Sequence, residues 1–221
     1  GGSARYIDAL QARWDVRVRT SHPVHAIRRE AVGVVVDSPA GHERFDDVVL
    51  ACHSDEALAL LHDADARERE ILGAIRYQSN DVVLHTDASL LPRHRKAWAA
   101  WNAHVPANPT AACTVSYWMN RLQGIDCPRP LVVTLNRSEA IRSDCVLRTM
   151  RYAHPVHDHA AVRAQARRRE IQGKRHTWFA GAYWGWGFHE DGIRSARELV
   201  DAYESTHAAA SKGSATEGIA A

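Results

Sequence analysis

The chain has 221 residues, 45% hydrophobic and 24% charged, a balance that suits a globular protein with a sizeable core. Lys and Arg number 28 against 26 Asp and Glu, a net charge of +2 with neutral His, which lacks the strong positive field of a nucleic-acid protein. Cys52, Cys113, Cys127 and Cys145 show no metal-binding spacing and no disulfide framework, and no apolar run approaches the roughly 20 residues that cross a bilayer, so a cytoplasmic protein without a signal peptide is expected.

From Arg5 onward, Tyr6, Ile7, Leu10 and Trp14 recur at helical spacing, with Ser3 as a candidate N-cap. Val16 and Val18 alternate with Arg17 and Arg19 and predict a strand, and a second is expected from Val24 to Ile27. The β-branched run from Val32 to Val36, the turn Ser38-Pro39-Ala40-Gly41 and a return from Phe45 predict a small meander. It leads into Val48-Val49-Leu50-Ala51, apolar on both faces as a central parallel strand is. His53-Ser54-Asp55 then caps a helix over 56–61.

A charged helix is expected over 66–73 and a strand over 77–86. Aromatic residues then gather: Trp98, Trp101, Tyr117 and Trp118 fall on two strand-like stretches, 97–103 and 112–119, joined through a loop from Pro106 to Pro109. This reads as a separate antiparallel unit, with a further strand over 131–135. An Arg- and Ala-rich helix with one narrow apolar face is expected over 158–171. The chain closes with a strand over 177–180, a loop, a helix from Asp191 to about Ser205, and a tail from His207 expected to be unstructured.

The closing loop carries the densest chemistry. A strand, Gly181, a loop and a helix start bring unpaired N–H groups and the positive end of a helix dipole together. Gly185, Gly187 and Gly192 clear space, while Tyr183, Trp184, Trp186 and Phe188 offer flat faces to a planar heterocycle. The alternative is that Glu190 and Asp191 complement the dipole and the rings are core. His154, His157 and His159 beside Asp158 admit a metal reading, but without a helical His-Glu-x-x-His pattern no metal ligand set is assigned.

Phe179-Ala180-Gly181 and the string from Gly187 to Ile193 resemble the closing segment of the flavin-dependent amine oxidoreductases, the group that includes monoamine oxidases, phytoene desaturases and protoporphyrinogen oxidases. The helix after Gly1-Gly2-Ser3, the stretch from Pro23 to Ile27, the meander and Asp47-Val48-Val49-Leu50-Ala51-Cys52 are similar to the central part of that fold. The strings Tyr77-Gln78-Ser79-Asn80, Leu84-His85-Thr86-Asp87, Trp98 to Asn102, Tyr117 to Gln123 and His154-Pro155-Val156 look like bacterial members described only as NAD/FAD-binding oxidoreductases. The resemblance covers most of residues 1–205.

It implies an α/β fold: a partial FAD-binding, Rossmann-like domain of amine-oxidase type with an inserted antiparallel α+β substrate unit. The expected divisions are 1–62 and 151–206 for the FAD-binding domain, 63–150 for the substrate unit and 207–221 for the tail. By the same resemblance, Val24 meets the adenine end of FAD through its backbone, Gly181 and Ala182 lie near the pyrophosphate and ribityl chain, and Glu190, Asp191, Gly192 and Ile193 start the helix that faces the flavin. His189 is the candidate acid or base. Trp98, Trp101, Tyr117, Trp118 and Trp184 are candidate contacts for an apolar substrate, an unsaturated lipid or acyl chain or an amine, although such rings equally fill a core.

The glycine-rich first turn of the dinucleotide fold and the acidic residue that follows it are absent from the sequence. The chain therefore reads as a fragment, the C-terminal half of an FAD-dependent oxidoreductase that holds FAD weakly without its N-terminal half. The only lysines, Lys96, Lys174 and Lys212, match no amine-oxidizing motif. A non-catalytic binding or remnant module is the alternative.

Overall fold

Gly33 fixes the first turn of the meander. Its φ is +80°, and a Cβ there would collide with the carbonyl oxygen of Phe45, so only glycine fits between the neighbouring strands. Strands β1 (Ala26–Arg29), β2 (Val34–Ser38) and β3 (Gly41–Phe45) pair antiparallel in chain order. The computed structural model describes residues 4–108 and 113–216. The chain divides into two compact units: Val18–Tyr77 with Pro155–Ala221, and Gly1–Arg17 with Gln78–His154.

In the first of these, β4 (Val48–Leu50) pairs in parallel with β10 (Thr177–Phe179), Val48 opposite Thr177 and Leu50 opposite Phe179. Helices α2 (Ser54–Leu60), α3 (Ala66–Gly73), α5 (His159–Ala166) and α6 (His189–Thr216) complete the unit. Ile27, Leu50, Ile71, Leu72, Ile171 and Phe179 are buried in one cluster, each apolar side chain contributing about 1.5–3 kcal/mol by leaving water. Asp65 begins α3 by accepting the N–H groups of Arg67 and Glu68, and Glu68 in turn accepts from the Asp65 N–H at 2.8 Å. Asp158 caps α5 through the Ala161 N–H at 2.9 Å.

The other unit holds α1 (Ala4–Gln11) and a five-stranded sheet in the order β6 (Trp101–His104), β7 (Thr114–Trp118), β8 (Val132–Leu135), β5 (Tyr77–His85), β9 (Val146–Pro155). The pairings of β6 with β7, β7 with β8 and β8 with β5 are antiparallel. Short helix α4 (Met119–Gln123) follows β7 and ends at Gly124, whose φ is +63°. One sheet face is closed: Val83, His85, Ser116, Val132 and Thr134 are all buried.

Several expectations shift. The alternation at 16–19 forms no strand; Val16 and Val18 are both exposed, so no apolar face is available to fix a register. The stretch expected from Val24 is a strand only from Ala26, and the helix expected over 158–171 ends at Ala166 and gives way to a single tight turn at Arg168–Glu170. Strand β9 was not expected: nearly all its residues are exposed, so it carries no period-two pattern. The last helix starts two residues before Asp191 and runs on to Thr216, while residues 217–221 of the expected tail, Ser3 and Pro109 lie outside the described residues.

Candidate functional site

In the parallel-strand unit, the carboxyl ends of β4 and β10 lead into Ala51-Cys52-His53 and Ala180-Gly181, the edge where open α/β sheets bind ligands. The far edge of β10 is sealed, because the Gln172 amide accepts the Phe179 N–H at 2.9 Å and donates to the Phe179 carbonyl at 2.7 Å. The far edge of β4 is open. Val48 donates to the His176 carbonyl and Leu50 accepts from the Ala180 N–H, so Val49 turns its own N–H and C=O away from β10, and no strand among the described residues pairs there. Beside it lies a cleft of about 770 Å³, lined by Val24, Phe45, Val48, Val49, Cys52 and Leu60 among others. Val24, Phe45 and Val49 are exposed.

The closing loop is tied to itself. The Gly181 N–H donates to the Ser195 hydroxyl at 3.0 Å, and that hydroxyl donates to the Gly192 carbonyl at 2.8 Å. A Cβ on Gly181 would strike the ring of Tyr183, and one on Gly185 would strike the Asp191 carboxylate, so internal packing already requires both glycines. Asp191 is buried and accepts the N–H groups of Trp186 at 2.9 Å and Phe188 at 3.0 Å, besides pairing with Arg194. Burial opposes its ionisation, but the two amides and the guanidinium win and hold its carboxyl below the usual range. Asp191 thus satisfies the loop from within, which is the dipole-complementing alternative read from the sequence.

The remaining predicted cofactor residues are placed differently. His189, Glu190 and Ile193 are exposed on the first turn of α6, and Ala182 and Gly192 are half-buried. Trp186 and Phe188 are exposed beside them. His157, read from the sequence only as a candidate metal ligand, stands with its ring 5.4 Å from Trp186, and its Nδ1 is shut off from solvent without a partner. The buried Tyr183 hydroxyl is likewise unpartnered, and burial, with Tyr77 and Cys52 nearby, raises its pKa well above the usual phenol range. The sequence named His157 as a candidate metal ligand and Tyr183 as a flat face, but neither reading signalled an orphaned polar atom, since burial cannot be read from residue type.

In the five-stranded unit the four predicted aromatics do not form one cluster. Trp101 and Tyr117 are cross-strand partners in an edge-to-face pair at 5.2 Å. Trp118 follows Tyr117 in β7 and so points to the opposite face, where it makes a second edge-to-face pair with Trp98 at 5.2 Å. The row Trp101, Tyr117, Val133, Leu84 crosses four strands on the sheet face that is only half-buried. Trp184 belongs to the parallel-strand unit, buried with its indole N–H donating to the Phe179 carbonyl at 3.3 Å. Across the closed sheet face, His85 Nε2 meets the Thr134 hydroxyl at 2.8 Å and that hydroxyl meets Ser116 at 2.7 Å.

No three His, Cys, Asp or Glu side chains among the described residues come together as a metal site requires. His154 instead takes a hydrogen bond from Asn80 at 2.9 Å. No helix among the described residues is long and apolar enough to cross a membrane.

A search of curated proteins returns no match. Solved structures share the fold at low identity. A CLA-producing fatty acid isomerase from P. acnes matches at 17% identity with a TM-score of 0.63, covering 91% of this chain and 52% of its own. A protein assigned as a protoporphyrinogen oxidase from Exiguobacterium sp. 255-15 matches at 17% identity and a TM-score of 0.65, covering 92% and 51%. Putrescine oxidase bound to putrescine matches at 11% identity and 0.59, covering 92% and 53%. The chain thus spans about half the length of these structures. The family model for flavin-containing amine oxidoreductases matches residues 1–128, more than half of the chain and upstream of the closing loop. The chain belongs to the flavin-containing amine oxidoreductase family, whose cofactor is a flavin.

Proposed function

We propose that this chain is the part of an FAD-dependent oxidoreductase that closes the flavin-binding unit and carries a substrate surface. The observation that carries this reading is the apolar cleft beside the open edge of β4, with Val24 in its wall. An apolar lining suits the flat, weakly polar adenine end of FAD, and Val24 in that wall is the proposed backbone contact for it. At the loop the fit is narrower: the Gly181 N–H is spent on Ser195, so Gly181 offers close backbone approach and not a donor, and Ala182 is the proposed backbone contact beside it.

When bound, FAD supplies the hydride acceptor, and the protein's part is orientation and exclusion of water. Glu190, Asp191, Gly192 and Ile193 start α6, whose positive dipole end favours an electron-rich edge. Exposed Trp186 and Phe188 give that edge flat apolar cover. His189 is the proposed acid or base for the substrate proton. Trp101 and Tyr117, on the half-buried sheet face, are the proposed contacts for an apolar substrate, an unsaturated acyl chain or an amine.

The glycine-rich nucleotide turn is supplied by a further segment of the protein, an N-terminal half consistent with relatives about twice as long. Its first strand would pair along β4 through the N–H and C=O of Val49. Residues 63–150 are proposed as the substrate part and 1–62 with 151–206 as the flavin part. One observation favours a module without chemistry: the loop amides expected to face a cofactor are satisfied internally by Asp191.

The test is FAD titration of this chain alone and after reconstitution with the upstream half. Weak or no retention alone, and stoichiometric yellow protein on reconstitution, is the expected result. A colourless reconstituted protein leaves the module reading in its place.

A further inference from the structure

Where β7 meets α4, in the five-stranded unit, the chain builds a second small cavity of about 250 Å³, on the side of Trp118 and away from Trp101 and Tyr117. Its wall holds Arg95, Trp98, Trp118, Asp126 and Arg129. The Trp118 indole N–H is shut off from solvent and the Trp98 N–H is used by the Pro92 carbonyl at 2.8 Å, so neither indole offers a donor to the cavity and both serve as its flat walls.

The loop that carries Arg129 is held in advance. Asn120 donates to the carbonyls of Cys127 at 3.2 Å and Arg129 at 3.1 Å, and accepts the Leu131 N–H at 2.7 Å. Pro128 and Pro130 restrict the backbone on both sides of Arg129. Arg95 lies with its guanidinium carbon 5.2 Å from the Trp98 ring centroid. Neither Arg95 nor Arg129 has a carboxylate partner among the described residues, in contrast to Arg29, Arg76, Arg142 and Arg167. Arg93 and Lys96 flank Arg95 in the sequence, and Arg121 reaches the Trp98 carbonyl at 3.5 Å. Asp126 is the one acidic residue in the wall.

Two unpaired guanidiniums and one opposing carboxylate leave a cationic pocket. A monoester phosphate carries about −1.5 to −2 charge and three acceptor oxygens, which two guanidinium forks can serve together. We propose that this cavity binds the phosphate of a phosphomonoester, with Arg95 and Arg129 holding the anion, and Trp98, Trp118 and the prolines covering the organic part. The same headgroup chemistry occurs in a soluble ester and in an anionic lipid.

The test is calorimetric titration of the whole chain with glycerol 3-phosphate, and co-sedimentation with vesicles of phosphatidic acid in phosphatidylcholine. Saturable binding of glycerol 3-phosphate, weakened about tenfold or more in Arg95→Gln and in Arg129→Gln, establishes the site for soluble esters. Vesicle binding without ester binding, with the same sensitivity, establishes it for the lipid. Arg148→Gln, on exposed β9, controls for general loss of charge, and circular dichroism checks that each variant folds. No saturable binding to either probe overturns the proposal. So does equal weakening in Arg148→Gln.

Discussion

The carboxylate of Asp191 reaches back across the closing loop to take the N–H groups of Trp186 and Phe188, at 2.9 and 3.0 Å. Removing it in Asp191→Ala leaves two amides and Arg194 without their acceptor, and about 1–3 kcal/mol of stability is expected to go. The pH dependence has a definite sign. The folded carboxyl is held below its ordinary range, so its contribution is full above that range and is lost as pH falls through the depressed value. Thermal unfolding from neutral to acid pH checks this, and Asp191→Asn should show a flatter acid limb; an unchanged limb removes Asp191 as a source of acid sensitivity.

Arg29 and Glu68 form a buried pair. Both side chains are closed to solvent, and Arg29 also donates to the Asp63 side chain and carbonyl, each at 2.9 Å. Glu68→Ala would leave the buried guanidinium with Asp63 as its one carboxylate partner and take away the reciprocal cap on the Asp65 N–H. A buried charge left with no partner costs about 3–5 kcal/mol, so with Asp63 still in place a loss below that range is expected. Denaturant unfolding of Glu68→Ala should show this loss, and a double variant, Arg29→Met with Glu68→Leu, should recover much of it. If the double variant is no more stable than the single one, the under-compensated buried charge is not the cause.

Much of the fold could be read from local chemistry. The meander follows from β-branched residues between turn residues, and α3 follows from Asp65 and Glu68 at capping-box spacing. Strand β9 escaped because exposure on both faces removes the alternation that marks a strand. The site was less legible. Gly181, Gly185 and Asp191 stand out in sequence as ligand-binding residues, yet each is required by a neighbour within the loop: Tyr183, Asp191 and the amides of Trp186 and Phe188. The four aromatics were visible, but only strand register divides Tyr117 from Trp118. His157 and Tyr183 were named, as a candidate metal ligand and a flat face, but their orphaned atoms were not legible, because an orphaned polar atom depends on packing between distant segments.

His85 should make the five-stranded unit sensitive to mild acid. Its ring is fully buried; Nδ1 accepts the Asp87 N–H at 3.1 Å, which leaves Nε2 to donate to Thr134. Burial lowers its pKa, against the opposing pull of Asp87 and its N–H, so the folded ring stays neutral where an unfolded histidine takes a proton. The unfolded chain then binds more protons, and stability falls as pH drops below about 6.5, by up to about 1.4 kcal/mol per pH unit for one group. Carboxylates with lowered values, Asp87 and Asp191 among them, act only in stronger acid. Unfolding free energies between pH 7 and pH 5 for the parent and His85→Gln separate the two, since only the parent should lose stability in that window. Parallel curves would assign the loss elsewhere.

Val49 offers the sharpest test of the open edge of β4. Its N–H points away from β10, so Val49→Pro removes no hydrogen bond that this chain makes by itself, whereas proline at Val48 would delete the bond to the His176 carbonyl. The isolated Val49→Pro chain is expected to stay folded, with a stability change of about 1 kcal/mol from the fixed φ. Pairing with a strand of the proposed N-terminal half should fail, because that strand finds no donor and meets the proline ring. FAD recovery after reconstitution is the readout, with Val49→Thr as the control that keeps the N–H. Recovery in Val49→Thr and its loss in Val49→Pro ties cofactor assembly to this one edge. Equal recovery in both places the missing strand elsewhere and leaves the cleft around Val24 as a surface with some other occupant.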